Sequence, residues 1–209
     1  INNGVCKSLV LTDGSNFGNP VAFTATQASY TTDVKTYKTV VIPFEAALPE
    51  GFTASNAVSV AGTTINVEGV TTIAANKPVI VKGNGQLVLT ASNTTVEADE
   101  TDLTSGLLCG VYVAAPATEG SYVLQNQNGV IGFYRVADVK PTVGSFRAYL
   151  NVPASDVKVY TFSEDNSTGI KNIEHSTLNN EQSIFNLAGQ RVNKVQKGVY
   201  INNGKKVLY

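Results

Sequence analysis

Short runs rich in Val, Ile, Thr, Tyr and Phe recur along the chain from residue 8 onward, broken by Gly, Asn, Asp or Pro about every eight to twelve residues. That punctuation predicts an all-β fold. The candidate strands are 8–12, 21–25, 29–32, 39–42, 64–67, 70–73, 79–82, 86–90, 108–113, 121–125, 130–136, 147–152 and 157–162. Asn84-Gly85 lies between VIVK and QLVLT, and Asn128-Gly129 between SYVLQ and VIGFYRV. Both dipeptides favour the left-handed backbone of a tight hairpin and predict one at each place. Val157, Val159 and Thr161 alternate with Lys158, Tyr160 and Phe162, so both faces of that strand are partly apolar. A strand apolar on both faces needs a layer on each side. The expected architecture is a mostly antiparallel β-sandwich over residues 1–163, or a pair of small β subdomains. The best helical window, Phe44 to Leu48, is closed by Pro43 and Pro49 and makes at most one turn.

Beyond residue 163 the texture becomes polar and turn-rich, with Ile170 and Ile173 among its few apolar residues, and residues 164–182 read as a linker. SIFNLAGQRV, GVYIN and KKVLY then predict three short strands over 183–209, turned at Ala188-Gly189 and Asn203-Gly204. Three short strands are marginal alone, so this appendage is expected to dock against something.

Charge and the rare residues exclude several functions. Lys and Arg number 15 against 16 Asp and Glu, a net charge of -1, which leaves no basic field for phosphate backbones or anionic lipid. Nucleic acid is therefore not an expected partner. No apolar run approaches the ~18 residues of a transmembrane helix. The chain begins at Ile1 with no basic-then-apolar leader and contains no Met, and it reads as a mature or trimmed product.

Two cysteines and one histidine are too few for a structural zinc site. In an oxidising compartment a Cys6–Cys109 bridge would close a loop of roughly a hundred residues, worth about 4–5 kcal/mol in the chain-entropy account. The alternative is two separate thiols packed as small hydrophobes.

Searches for catalytic patterns end empty. There is no G-x-S-x-G elbow and no P-loop, and Gly83-Asn84-Gly85 leads into a strand, not the helix that a phosphate cradle must open. His175 falls in the polar linker, where a solvated imidazole is the expected reading. The acidic run from Glu97 to Asp102 lacks the spacing of a calcium loop and reads as a solvated turn. Glu45, Glu50, Glu68 and Glu119 are scattered, with no pairing of the kind that glycoside hydrolysis needs. The expectation is a protein with no enzymatic activity and no cofactor.

Sugar recognition commonly uses flat aromatic faces. Trp is absent, and of nine tyrosines Tyr112, Tyr122, Tyr134, Tyr149 and Tyr160 fall on expected strands, as core or cross-strand packing. Tyr30 and Tyr37, placed near turns, are the candidate ligand-binding residues. The three arginines are Arg135, Arg147 and Arg191. The first two lie on neighbouring expected strands, and they either pair with a carboxylate such as Asp138 or form an anion site.

The segment IFNLAGQRVNKVQKGVYINNGKKVLY, Ile184 to Tyr209, resembles the C-terminal end of many secreted proteins of Bacteroides and Prevotella, and more distantly the sorting domains read by the type IX secretion system. Upstream, LVLTDGSNFGNPVAFTATQASYTT, YKTVVIPFE, IAANKPVIVKG, GFYRVADVKPTVGSFRAYL and STGIKNIE resemble a module at the C-terminal end of Bacteroidales surface proteins, including leucine-rich-repeat ones. The resemblance implies an exported, non-catalytic cell-surface β module with no catalytic residues to carry over. Residues 184–209 are then a sorting or anchoring element that meets secretion or anchoring machinery. A glycan or a surface protein is the remaining expected partner, through adhesion.

Overall fold

The structure, a computed structural model, describes residues 4–99 and 102–162, together with the backbone of 184–185, 199–202 and 205–208. The elements in chain order are β1 (Val5–Thr12), β2 (Phe23–Val40), β3 (Ala46–Ala47), β4 (Thr53–Ala61), β5 (Thr64–Val70) and β6 (Thr72–Ile73). There follow β7 (Val79–Val96), β8 (Thr104–Ser105), β9 (Leu108–Val111), β10 (Ala115–Pro116), β11 (Tyr122–Gln127) and β12 (Val130–Arg135). The last are β13 (Thr142–Val143), β14 (Arg147–Leu150), β15 (Val159–Phe162), β16 (Ile184–Phe185), β17 (Val199–Asn202) and β18 (Lys205–Leu208). Among the described residues there is no helix, and the fold is all-β as the punctuation predicts.

Two compact units divide the chain, Ile1–Asp165 and Asn166–Tyr209. In the first, eleven strands form one sheet in the order β1-β2-β7-β4-β5-β15-β12-β11-β14-β9-β8. Only β1–β2 and β5–β15 pair parallel; the other neighbours are antiparallel. The backbone of β2 and β7 is a ribbon of two 18-residue strands, paired from Phe23 against Val96 to Val40 against Val79. At its lower end Val79 and Val81 enter one core with Tyr30, Val34, Leu87 and Phe146, while Ile80 enters a second with Ile65, Tyr122, Phe133 and Tyr160. One strand thus serves as the wall between two cores.

The Asn84-Gly85 hairpin does not form. Asn84 and Gly85 pair with Lys35 and Val34 in mid-ribbon, and β7 continues to Val96. Glycine serves a bend here: Gly85 has φ 112°, near Thr36 at φ 71° on the partner strand. At Gly83 the ring of Phe52 lies where a side chain would sit, 2.3 Å from an ideal Cβ. The same continuity merges residues 23–25 of the expected strand 21–25, all of 29–32 and residues 39–40 of 39–42 into β2. Asn128-Gly129 does make its hairpin, with φ 52° and 85° and Gln127 opposite Val130. The window from Phe44 to Leu48 yields the short strand β3, paired with β6.

In the second unit β16, β17 and β18 form a three-stranded antiparallel sheet, with Asn202 opposite Lys205. The expected linker, His175, Arg191 and the Ala188-Gly189 turn lie outside the described residues.

Candidate functional site

β1 lies parallel to β2 with Thr12 beside Thr31, so the turn after β1 sets Asp13 next to Thr32. The Asp13 carboxylate accepts from the Tyr30 hydroxyl at 2.6 Å, the Lys38 ammonium at 2.9 Å, the Arg147 guanidinium at 2.5 Å and the Thr32 hydroxyl. Arg147 also donates to the Tyr30 oxygen at 2.9 Å and to the Thr32 hydroxyl at 3.4 Å. Lys38 donates to the Thr32 hydroxyl at 2.6 Å and to the Asp33 carbonyl. Arg147 is placed by its neighbours. The Val41 N–H donates to the Phe146 carbonyl at 3.1 Å, and the Thr39 hydroxyl holds Ala148, so β14 is tied to β2 on both sides of the arginine.

Burial alone would raise the Asp13 pKa, but the bonds from Thr32, Tyr30 and Lys38 and the charge of Arg147 outweigh it and hold the carboxyl well below its usual range. Burial pushes the Tyr30 phenol up. Lys38 is lowered, by burial first and by the Arg147 charge, although it is bonded to Asp13. The two ends of this ion pair shift in ways that a lone pair would not. One carboxylate is shared between two cations, and each cation is a like-charge neighbour of the other.

This geometry removes Tyr30 as a ligand-binding residue. It is fully buried at 0% exposure, because β2 runs unbroken through it and residue 30 lies on the inward face instead of near a turn. Tyr37 is half-buried, stacked on Phe162 with centroids 4.3 Å apart, and has the Lys82 ammonium 5.6 Å from its centroid.

Tyr37 also lines an open groove of about 390 Å³ walled by β2, β11 and β14. Lys35, Lys38, Arg147, Gln125 and Asn126 are among its lining residues, and no acidic residue lines it. Asp13 stands behind the wall and not in it. Asp13, Thr32, Lys35 and Lys38 were not singled out in the sequence, and the one local signal for them is the cluster Lys35-Thr36-Tyr37-Lys38, two cations flanking an aromatic.

A second cavity, about 490 Å³, carries charges of both signs from Arg135, Glu119 and Asp156. Arg135 meets Asp156 at 3.7 Å, not Asp138, and β11 separates its strand from that of Arg147. The two arginines therefore make no joint anion site. Other strand tyrosines are packing residues: Tyr122 donates to the Ser155 carbonyl at 3.2 Å, and the Tyr160 hydroxyl is 2.6 Å from Ser155 Oγ.

Cys6 and Cys109 are free thiols, so the bridge is replaced by its alternative: β1 is one end of the sheet and β9 is next to the other. In the acidic run, the Asp102 carboxylate accepts from the Thr104 hydroxyl at 2.7 Å and lies 3.7 Å from Lys77. No group of three or more metal-ligating side chains occurs among the described residues, and among them no helix is long and apolar enough to cross a membrane. No family model, no curated protein and no solved structure matches this chain.

Proposed function

We propose that the chain is a non-catalytic, exported cell-surface module of a Bacteroidales-type bacterium, which presents or tethers protein at the surface and uses its C-terminal strands as a sorting or anchoring element. The observation that carries this reading is the division into a large β unit and a small three-stranded unit that begins at Asn166 and holds the sorting-like segment. The polar cluster fits a non-catalytic role, since the Asp13 carboxyl is held ionised and the Tyr30 phenol is buried and bonded. The test is delivery. Expressed in a Bacteroides host behind a signal peptide, the full chain is expected at the cell surface and a chain lacking residues 183–209 is not. Surface delivery of the shortened chain would overturn the reading.

A second reading, recognition of a glycan or a host protein, is favoured by the open groove beside Tyr37. Saturable binding of the 209-residue chain on a glycan and matrix-protein array, weakened in Tyr37→Ala, is its expected outcome. Silence across the array would remove it.

A further inference from the structure

We infer that the groove walled by β2, β11 and β14 binds a carboxylate-bearing saccharide, a deepening that rests on the recognition reading above. In a chain of net charge -1 the groove collects Lys35, Lys38 and Arg147 with no Asp or Glu in its lining. The single carboxylate behind the wall, Asp13, offsets one of the two cations that it holds. Asp33 gives Lys38 its backbone carbonyl and its charge also acts on Lys38, but it is exposed outside the lining, and three cations still stand against two carboxylates. The groove therefore keeps an excess of positive charge on low-dielectric walls, where an anion is held more strongly than on open surface.

The hydrogen-bonding inventory points the same way. Arg147 uses three of the five N–H donors of a guanidinium and keeps two with no protein partner among the described residues. The Gln125 carbonyl oxygen accepts from Gln127 and the Asn126 carbonyl oxygen from the Gly129 N–H, which leaves both amide nitrogens as donors without such a partner. The lining thus holds donors without a protein acceptor among the described residues, and a planar fork suited to a carboxylate. Leu124, which packs against the same core as Tyr37, and Ile131 add apolar surface to the lining for the C–H face of a sugar, and the volume lies within the range of small-molecule sites.

The experiment is calorimetric titration of the 209-residue chain with a glucuronate-containing tetrasaccharide and with its carboxyl-reduced counterpart, in low and in physiological salt. The acidic form is expected to bind, more weakly as salt rises, and the reduced form at least about tenfold more weakly. Lys35→Gln, an exposed position, is expected to weaken binding about fivefold with no change in Tm, whereas Arg147→Gln also disturbs the cluster around Asp13. Equal binding of both forms, or wild-type binding by both Lys35→Gln and Asn126→Ala, would overturn the inference. So would binding of neither form, an outcome that leaves the recognition reading to the array and the surface-module reading to the delivery test.

Discussion

The Thr39 hydroxyl donates to the Ala148 carbonyl and accepts from the Ala148 N–H, each at 3.0 Å, so that one side chain takes the place of a backbone ladder partner between β2 and β14. Both residues are buried, at 2% and 1% exposure, so water cannot replace the hydroxyl. Thr39→Val keeps the shape and orphans two backbone groups. It is expected to destabilise the protein by about 1–3 kcal/mol, with Thr39→Ser retaining most of the stability. Urea unfolding of the two variants measures this; equal midpoints would mean that the tie carries no stability.

Asp13 makes stability depend on acid. Its folded pKa lies below the ordinary 3.8, so its contribution is complete above that value and is lost as pH falls through the lower folded pKa. The Tyr30 phenol that donates to it is pushed up by burial and stays neutral across acid and neutral pH. Asp13→Asn should therefore be less stable than wild type by a constant amount down to about pH 5, with the gap closing below pH 4. The carboxylate side chain is 38% exposed, and screening limits that gap to about 1–2 kcal/mol. Melting curves from pH 7 to 2 check the sign; a gap that widens in acid would contradict it.

How much was legible in the sequence follows from what each residue could signal alone. Asn128-Gly129 needs only its own backbone preference, and its hairpin forms. Asn84-Gly85 carries the same preference but lies where β2 supplies a pairing partner on either side of it, and tertiary pairing wins. β4 gave no apolar signal, since its inward positions are Ala54 and Ala57, small enough to let neighbouring segments approach. In the site Tyr30, Tyr37 and Arg147 were visible as candidates, Tyr30 as a ligand contact where the structure makes it a buried partner of Asp13. Asp13 and Arg147 are joined across 134 residues of chain, a distance that no local pattern spans.

Gly83 is a packing position. A Cβ there would lie 2.3 Å from the Phe52 ring, inside any real contact, so Gly83→Ala must push the half-buried ring from its place beside the first core. The expected loss is about 1–3 kcal/mol. Because the nearest obstacle is a side chain, with the Gly51 carbonyl oxygen farther off at 3.1 Å, Phe52→Leu in the same chain should recover part of it. A double-mutant cycle by thermal unfolding tests the pair: strictly additive losses would show that the clash is not the cause.

The thiols are chemically distinguishable. Denatured without reductant, the chain should titrate two thiols with Ellman's reagent, as both cysteines are free. In the native protein Cys109 is half-buried beside Tyr149, and burial raises its pKa above the ordinary 9.0, more than the Tyr149 hydroxyl lowers it. Little of it is thiolate at pH 8, so its alkylation should be slow and should quicken as pH rises further. Timed iodoacetamide labelling with peptide mass mapping follows each site. Fast labelling of Cys109 at pH 7 would mean that β9 opens readily; an intact chain in which neither cysteine labels after denaturation would mean a bridge between them and a different packing of β1.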